Sequence, residues 1–514
     1  MALRKRAGAV VAGCGAVLAA LVAPACGGSS SCEDTNSCAQ SGGAGGTGAS
    51  GGTGGTSGTG GTSGTGGTSG TGGASGSGGS GGDAGTCDTT KTPGEEACLV
   101  DDQYAVFVNG TVATTGTGTK ASPYKTIGEA VKAAGSKLIV VCDTTYDEQV
   151  KVTAGVELFG GFACSDWSYE KGKRASVKPA AKGAALDISG ATATVLIEDL
   201  EFASADASAA GESSVAATIA TSSDVKLHRV KLVAGKGQAG ANGALVPFTY
   251  PAQSTLNGNS ASGLAGGAVK QCACPAGNNS IGGAGASGPT PKAGDDGFPA
   301  LGAGQGGVPG SCSVGLGKDG ASASPAAPAA GASTLGTLTG TAWAPAKAPN
   351  ASPGGPGQGG GGGASSASGG GGGGGCGGCG GAGGPGGGGG GASIALVAVD
   401  STVSMDAGSE LVTSDAGNGG SGAAGQAGQT DIGFAGNPGA GGCMGGAGGK
   451  GADGGAGGGG AGGISVAAVW KGTQPTIDGS AKITLGKKGN KGPGGKAGSN
   501  DGIDGVAQNA FEVK

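Results

Sequence analysis

The chain has 514 residues, of which 130 are glycine and only 13% are charged, and its formal net charge is −5. Glycine therefore makes up about a quarter of the chain, where average usage is about 7%. The weak net charge argues against nucleic acid or an anionic membrane surface as a direct partner. Runs such as 369–375 break the G-X-Y period of collagen.

The N-terminus has the pattern of an export signal. Arg4-Lys5-Arg6 precedes an apolar stretch over 7–22, and Ala23-Pro24-Ala25 fits a small-residue cleavage site. Cys26 follows at once, as in bacterial lipoprotein signals, where that cysteine becomes the lipidated first residue. We therefore expect an exported protein held at the outer membrane or cell surface by a lipid on Cys26. Simple secretion after cleavage remains the alternative.

Residues 26–100 are predicted to form a flexible tether followed by a short cysteine-containing segment. The stretch 51–73 repeats glycine, threonine and serine without one apolar residue. Such a segment cannot bury enough surface to offset the entropy lost on ordering glycine, so we expect it to be disordered.

The cysteines agree with export. Of the 14 cysteines, two lie in or directly after the signal. An even remainder in an oxidising compartment predicts disulfides. Plausible local pairs are Cys32 with Cys38, Cys87 with Cys98, and Cys142 with Cys164, although spacing alone leaves both the pairing and a few free thiols open. Cys376-Gly-Gly-Cys379 looks like half a zinc site, but there is no second such pair and one histidine in all. We predict no metal and no cofactor.

Regular structure is predicted from a strand over 105–108 onward. A helix over 126–134 has Thr126 as N-cap, Glu129 completing a capping box, and Gly135 at its stop. Short β-branched runs follow without intervening helices, which argues against a doubly wound α/β sheet. The predicted strands are 138–142, 149–152, 156–162, 185–188, 194–202, 215–220 and 225–233.

An internal repeat indicates the architecture. Segments starting at Ser214, Ser393 and Ser465 each contain an apolar strand, a polar turn, a second β-rich run and a glycine-rich exit. Each spans roughly 21–24 residues, the size of one coil of a parallel β-helix. The long glycine-rich stretches 235–392 and 417–463 leave from the same point of this unit, so they are read as insertions. The resulting divisions are 1–25 (signal), 26–100 (tether), 101–234 (capped start), 235–392 (insertion), 393–416 (coil), 417–463 (insertion) and 464–514 (last coil and tail).

The start of this region resembles a known family. Its pattern is Gly118-Thr119-x-Ala121-x-Pro123-x-Lys125-Thr126-Ile127-x-x-Ala130-Val131, then Thr145-Tyr146-x-Glu148 and Gly155-Val156-x-Leu158-x-Gly160. It is similar to the beginning of pectin-lyase-like right-handed β-helix proteins of the DUF1565 type, in which such a helix caps the open end. The glycine-rich parts resemble PGRS-like surface lipoproteins of myxobacteria. The resemblance implies an all-β, right-handed parallel β-helix with an N-terminal helical cap and long glycine-rich insertions. We also expect 506–514 to fold back as a second cap.

No convincing catalytic constellation is found. His228, the single histidine, is interpreted as a strand-surface residue without a positioned partner. Lyases of the resembled superfamily use an aspartate cluster that binds calcium and a nearby base. The candidates for those roles are Asp187, Asp199, Asp224, Lys226 and Arg229, and no paired acidic motif joins them, so no catalytic residue is predicted.

Two aromatic residues, Trp167 and Tyr169, are candidate glycan contacts. The favoured alternative is that they pack the capped end together with Phe159 and Phe162. The glycine-rich insertions allow three interpretations: disordered loops, extended polyglycine-II-like packing, or adhesive surfaces.

The predicted function is that of a non-enzymatic surface lipoprotein, structural or adhesive, which presents glycine-rich loops on a β-helix. Its partners would be extracellular glycans or other surface proteins, and not nucleic acid. The alternative is a polysaccharide-binding or polysaccharide-degrading β-helix protein.

Overall fold

The computed structural model describes residues 87–514. This part consists mainly of short strands, with the helical segments Ala97–Leu99 (a 3-10 turn), α1 (Ile127–Ala133), α2 (Gln253–Leu256) and α3 (Cys312–Gly315). The strands, in chain order, are β1 (Ala105–Val108), β2 (Leu138–Cys142), β3 (Thr145–Tyr146), β4 (Val150–Val152), β5 (Val156–Phe162), β6 (Ala175–Val177), β7 (Leu186–Ser189), β8 (Val195–Glu198), β9 (Leu200–Ala203), β10 (Ser214–Ala220), β11 (Val225–His228), β12 (Lys231–Val233), β13 (Lys270–Ala273), β14 (Asn279–Gly282), β15 (Gly336–Thr339), β16 (Ala342–Pro345), β17 (Ser393–Val399), β18 (Val403–Met405), β19 (Glu410–Val412), β20 (Ser465–Lys471), β21 (Thr476–Ile477), β22 (Lys482–Thr484) and β23 (Ala507–Glu512).

All but four of these strands form three parallel sheets. The first sheet has the order β1-β2-β5-β8-β11-β18-β21, the second β4-β7-β10-β17-β20-β23, and the third β3-β6-β9-β12-β19-β22. From β4 onward the chain visits the second, first and third sheets in turn, and each circuit adds one strand to each of them. We call these three sheets the sheet stack.

The three sequence repeats occupy equivalent positions in this stack. Ser214 pairs with Ser393, which pairs with Ser465, in the second sheet. In the third sheet Leu232, Leu411 and Ile483 are partners in the same way. The predicted repeat is therefore a structural repeat in register.

The corners between sheets are turned by residues with positive φ. Thr221 (φ 48°) and Asp400 (φ 46°) occupy successive corners between the second and first sheets, and Asp199 (φ 55°) and Arg229 (φ 50°) lie between the first and third. The predicted continuous strands over 194–202 and 225–233 were wrong in this respect. Each is two strands, because the chain turns through the left-handed region at Asp199 and Arg229.

One end of the stack is closed by α1. Thr126 Oγ1 accepts a hydrogen bond from Glu129 N (3.2 Å), and Glu129 Oε2 accepts one from Thr126 N (3.1 Å), so the predicted capping box is present. Glu148 adds a second cap that the sequence did not suggest: its two carboxylate oxygens accept from Ile127 N (2.7 Å) and Gly128 N (2.9 Å). Four backbone N–H donors at the helix start, those of residues 126–129, are satisfied in this way. The side chain of Ile127 is fully buried in the core beside β4 and β2.

The inner faces of the three sheets share one apolar core. Its large members include Leu158, Leu186, Ile197, Phe202 and Leu227, all completely buried. Alternate residues point outward, as the two-residue period of a strand requires. The outer face of the second sheet is covered in part by the hairpin β15–β16, whose Trp343 packs against Ile394, Val466 and Phe511.

The C-terminal residues do not fold back as a cap. β23 pairs with β20 in parallel, with Ser465 opposite Ala507 and Val469 opposite Phe511. The apolar residues that suggested a cap, among them Phe511, therefore extend the second sheet by one more strand.

The glycine-rich connections are ordered and pack side by side. They join the third sheet to the second, over 234–392, 413–464 and 485–506, and so leave the stack at one corner, as predicted. We call these three connections the glycine bundle. In its central segment, 370–391, every third amide donates to one neighbouring segment, 443–461, as in Gly381 N to Ala452 O (2.9 Å) and Gly384 N to Gly455 O (2.8 Å).

This three-residue register recurs throughout the bundle. The segment 417–439 runs antiparallel to the central one, with Gly420 N donating to Gly388 O (2.8 Å) and Ala423 N to Pro385 O (2.9 Å). A hydrogen bond every third residue fits an extended chain with three residues per turn, as in polyglycine II. Of the three interpretations of the insertions, the structure therefore matches the packed polyglycine-II-like one. At about 3.1 Å per residue, the 22 positions of 370–391 would span roughly 65–70 Å.

Candidate functional site

The most concentrated group of polar side chains lies at the corner between the first and third sheets. Arg229 donates to both carboxylate oxygens of Asp199, from Nε to Oδ1 and from Nη2 to Oδ2, at 2.9 Å each. Asp199 is fully buried. The two residues occupy equivalent left-handed corners of successive circuits, so the turn geometry itself aims one side chain at the other.

Three further residues complete this group. Tyr169 donates its hydroxyl hydrogen to Asp199 Oδ2 (2.8 Å), Arg229 Nη2 also donates to Glu198, and His228 Nδ1 lies 3.7 Å from Glu198 Oε2. Burial is the main factor that raises the pKa of Glu198. Burial, followed by the hydrogen bond to Asp199, raises the pKa of the Tyr169 phenol to about 12. We call these five residues the corner cluster.

The polar side chains of the corner cluster form hydrogen bonds mainly with one another. Its one guanidinium faces two carboxylates and a phenol, and all of these partners lie within the fold. The buried Asp199 side chain accepts hydrogen bonds from both Arg229 and Tyr169, which links the first and third sheets to the segment before β6. Glu198 and Asp199 are buried, Tyr169 is half-buried, and the side chains of His228 and Arg229 are 39% and 26% exposed.

The other candidate aspartates lie elsewhere. Asp187 accepts a hydrogen bond from Thr218 Oγ1 on the outer face of the second sheet (2.9 Å). Asp224 lies beside Thr194 and Lys226, with Thr194 Oγ1 donating to it at 2.7 Å. The three aspartates weighed for a calcium-dependent lyase are thus not brought together. Within residues 87–514, no group of three histidine, cysteine or acidic side chains is arranged to hold a metal ion.

The two candidate glycan contacts are packing residues. Trp167 is 91% buried and meets the Phe107 ring edge-on, with centroids 4.8 Å apart, so its face is not free to stack on a sugar. The Tyr169 ring lies 5.3 Å from that of Phe162, and its hydroxyl is committed to Asp199. The alternative interpretation, that these aromatic residues fill the capped end, agrees with this geometry.

Five disulfides are present in the described residues. Cys87–Cys98 and Cys142–Cys164 are the two local pairs favoured from spacing, whereas Cys26, Cys32 and Cys38 lie outside the described residues. The other three disulfides cross-link segments of the glycine bundle: Cys272–Cys376, Cys274–Cys379 and Cys312–Cys443. Both cysteines of the half zinc site are therefore used in disulfides. The Cys272-Ala-Cys274 pair was the signal that could have suggested their partners.

Within residues 87–514, the largest apolar side chains left open to solvent are all in the glycine bundle. They are Val246, Leu264, Val269, Phe298, Leu301, Val308, Val314, Leu316, Phe434 and Met444. Sequence reasoning missed them because isolated apolar residues in glycine runs carry no periodic signal.

Five of these side chains belong to segments that are joined near the turn 366–369, at the end of the central segment opposite β17. They are Leu264, Val308, Val314, Leu316 and Met444, and we call them the bundle tip. Val308 N donates to Val314 O, and Gly317 N, the residue after Leu316, donates to Met444 O. The Cys312–Cys443 disulfide locks the same end. Farther back, Ile281, Phe298 and Leu301 line a groove of about 600 Å³.

No helix within residues 87–514 is both long enough and apolar enough to span a membrane. Disulfides in this number are typical of an exported protein. No protein-family model, no curated protein and no solved structure matches the chain.

Proposed function

We propose that the chain is a non-enzymatic cell-surface protein, structural or adhesive, whose glycine bundle is the part that meets other molecules. In this proposal the sheet stack is a right-handed parallel β-helix of the pectin-lyase-like kind, and it serves as the scaffold. A lipid on Cys26 and the tether up to residue 86 would hold the scaffold at a distance from the outer membrane.

The observation that carries the proposal is the location of exposed apolar surface. In the described part of the chain, the ten large apolar side chains that remain open to solvent belong to the glycine bundle, and the bundle tip holds half of them. Apolar patches that stay exposed in a folded protein are typical of interaction sites. The sheet stack, by contrast, presents outward charges that pair with one another, such as Lys178 and Lys231 around Glu201.

The rigidity of the bundle supports the same role. Its backbone amides are bonded across segments, and three disulfides fix segments that are 104 to 131 residues apart in sequence. A surface that is already ordered loses little conformational entropy when it binds. A rod of this kind suits the presentation of a tip to glycans or to other surface proteins.

Adhesion assays test the proposal directly. The mature protein should bind in a glycan array or a cell-adhesion assay, and Leu316→Ser with Met444→Ser should weaken that binding at least tenfold. Val246→Ser is the matched control, because Val246 is more exposed (79%) but lies outside the tip. Blank results for the unaltered protein in both assays would argue strongly against adhesion.

The anchor has a separate test. A clickable fatty acid fed to the producing cells should label the unaltered protein and not Cys26→Ser. Labelling that survives the substitution would rule out Cys26 as the lipidated residue.

A polysaccharide-binding or polysaccharide-degrading activity is the second candidate, and the corner cluster is the observation in its favour. A carboxyl group with raised pKa beside a histidine and an arginine is the sort of environment found at catalytic sites. Release of unsaturated oligosaccharides that Asp199→Ala abolishes, and that the distant Asp224→Ala leaves intact, would decide for it. The same loss with Asp224→Ala would instead indicate general destabilisation.

A further inference from the structure

The two ends of the sheet stack are finished differently. At the end formed by β1, β3 and β4, the helix α1 lies on the core and its Ile127 and Ala130 are fully buried. At the other end β21, β22 and β23 are the last strands of their sheets, and no described residue adds another strand beyond them. Backbone donors and acceptors on these outer edges are open to pairing.

The core itself opens at this second end. Trp470, Ile477, Ile483 and Leu485 pack against the buried core but stay partly exposed. Together with Pro475 and Ala510, the first three of them line a groove of about 460 Å³. Stacked strands need a cover on such an end, because it exposes apolar core and strand edges at once.

The rim of the opening carries charges of both signs. Lys471, Asp478, Glu512 and Lys514 are exposed there, and none of them forms a salt bridge within residues 87–514. A surface with unpaired charges of both signs around an apolar centre is complementary to a second copy of itself, and this anatomy is common at protein interfaces.

We propose that two copies of the chain join through these open ends to form a closed two-fold dimer. Because α1 covers the opposite end, head-to-tail growth into a filament is blocked, and a contact between identical ends is the arrangement left. β23 would lie on the two-fold axis and pair antiparallel with its counterpart, since it is the longest of the three edge strands, at six residues. One edge carbonyl is already satisfied, as Gln508 Nε2 donates to Ala510 O (2.8 Å), so the pairing would use the remaining groups.

Sedimentation equilibrium of the full chain tests the dimer. The protein should carry Cys26→Ser, so that no lipid contributes to association. We expect a species of twice the 46.4 kDa chain mass that dissociates on dilution. Ala510→Arg places a long charged side chain in the exposed mouth of the groove and should shift the dissociation constant at least tenfold toward monomer. Ala133→Arg, on the exposed face of α1 at the capped end, should leave it unchanged.

Hydrogen exchange supplies a readout that does not depend on the variants. Amides of β23 should exchange at least tenfold more slowly in concentrated than in dilute protein, while amides of α1 should not change. A monomer at every soluble concentration would overturn the proposal, and so would a dimer that tolerates Ala510→Arg but not Ala133→Arg. If Ala510→Arg does not fold, an unchanged exchange rate in β23 on dilution would overturn it equally.

Discussion

Gly381 and Gln426 approach each other so closely that a Cβ atom on Gly381 would lie 2.0 Å from the Gln426 carbonyl oxygen. The same glycine donates its amide hydrogen to Ala452 O on the opposite side (2.9 Å). The relationship repeats three residues on, where a Cβ on Gly384 would lie 2.0 Å from Ala423 O. The high glycine content of the central segment is therefore a packing requirement, because its neighbours' backbones occupy the space of a side chain.

This packing predicts a sharp difference between two glycines of one insertion. Gly381→Ala forces backbone segments apart and should lower the free energy of unfolding by about 1–3 kcal/mol. Gly355 has nothing within 4 Å of an added Cβ, so Gly355→Ala should be neutral or stabilise by up to ~1 kcal/mol through the unfolded state. Urea unfolding of both variants gives the comparison. Equal effects would contradict the packed bundle.

The long-range disulfide Cys312–Cys443 should contribute more to the free energy of unfolding than the local disulfide Cys87–Cys98. Cys312–Cys443 closes a loop of sequence separation 131, and loop-closure entropy for ~100 residues corresponds to about 4–5 kcal/mol. Replacing both cysteines with serine should release the bundle tip and speed amide exchange around 308–316. Replacing Cys87 and Cys98, which are 11 residues apart in sequence, with serine should lower the free energy of unfolding by about 3 kcal/mol or less. This change should leave the amides of the bundle tip protected from exchange. Tip amides that exchange at the original rate without Cys312–Cys443 would show that the disulfide is dispensable there.

The corner cluster should behave as a coupled structural pair. Arg229→Met leaves the buried Asp199 side chain without its cationic partner. This variant should lower the free energy of unfolding by about 3–5 kcal/mol. Combining it with Asp199→Asn removes the uncompensated charge, so the double variant should recover part of that loss. Denaturant unfolding of the two single variants and the double variant measures the coupling. Additive losses would mean that the pair seen in the structure contributes nothing in solution.

One carboxylate should give a clear acid dependence. Hydrogen bonds from Ala209 N (2.8 Å), Lys182 Nζ (2.8 Å) and Ser208 N (2.7 Å) lower the pKa of Glu212 to about 2 from an ordinary value of 4.5. Because the folded pKa is the lower one, the stabilisation is complete above the unfolded value and is lost as the pH falls from 4.5 toward 2. Glu212→Gln should flatten the stability profile in that window. An unchanged slope between unaltered protein and variant would contradict the assigned contacts.

Much of the sheet stack was predictable from particular residues. Ser214, Ser393 and Ser465 marked the repeat, and Thr126 with Glu129 marked the capped helix, because strand alternation and helix capping leave local patterns. The corners at Asp199 and Arg229 were not predictable in this way. A left-handed residue other than glycine is chosen by the stack around it, and the neighbouring β-branched residues read as one continuous strand.

The packing of the glycine bundle could not be predicted from local sequence patterns. Glycine recurs at every third position from Gly448 to Gly463 and from Gly433 to Gly445, which is the spacing of the hydrogen bonds made there. Runs of consecutive glycine, as in 369–375, hide that period, because a Cβ at each of these positions would lie 3.0 Å or less from a neighbouring backbone atom. Cys272-Ala-Cys274 and Cys376-Gly-Gly-Cys379 are two closely spaced pairs, but they are more than 100 residues apart, so no local pattern specifies their bonding.

Amide hydrogen exchange across 370–391 tests the central claim most directly. If these glycines form the interior of a packed bundle, their amides should be protected to a degree comparable with those of β17, the strand they lead into. Exchange at the rate of an unstructured chain, in protein whose β17 amides remain protected, would contradict the bundle and leave only the sheet stack.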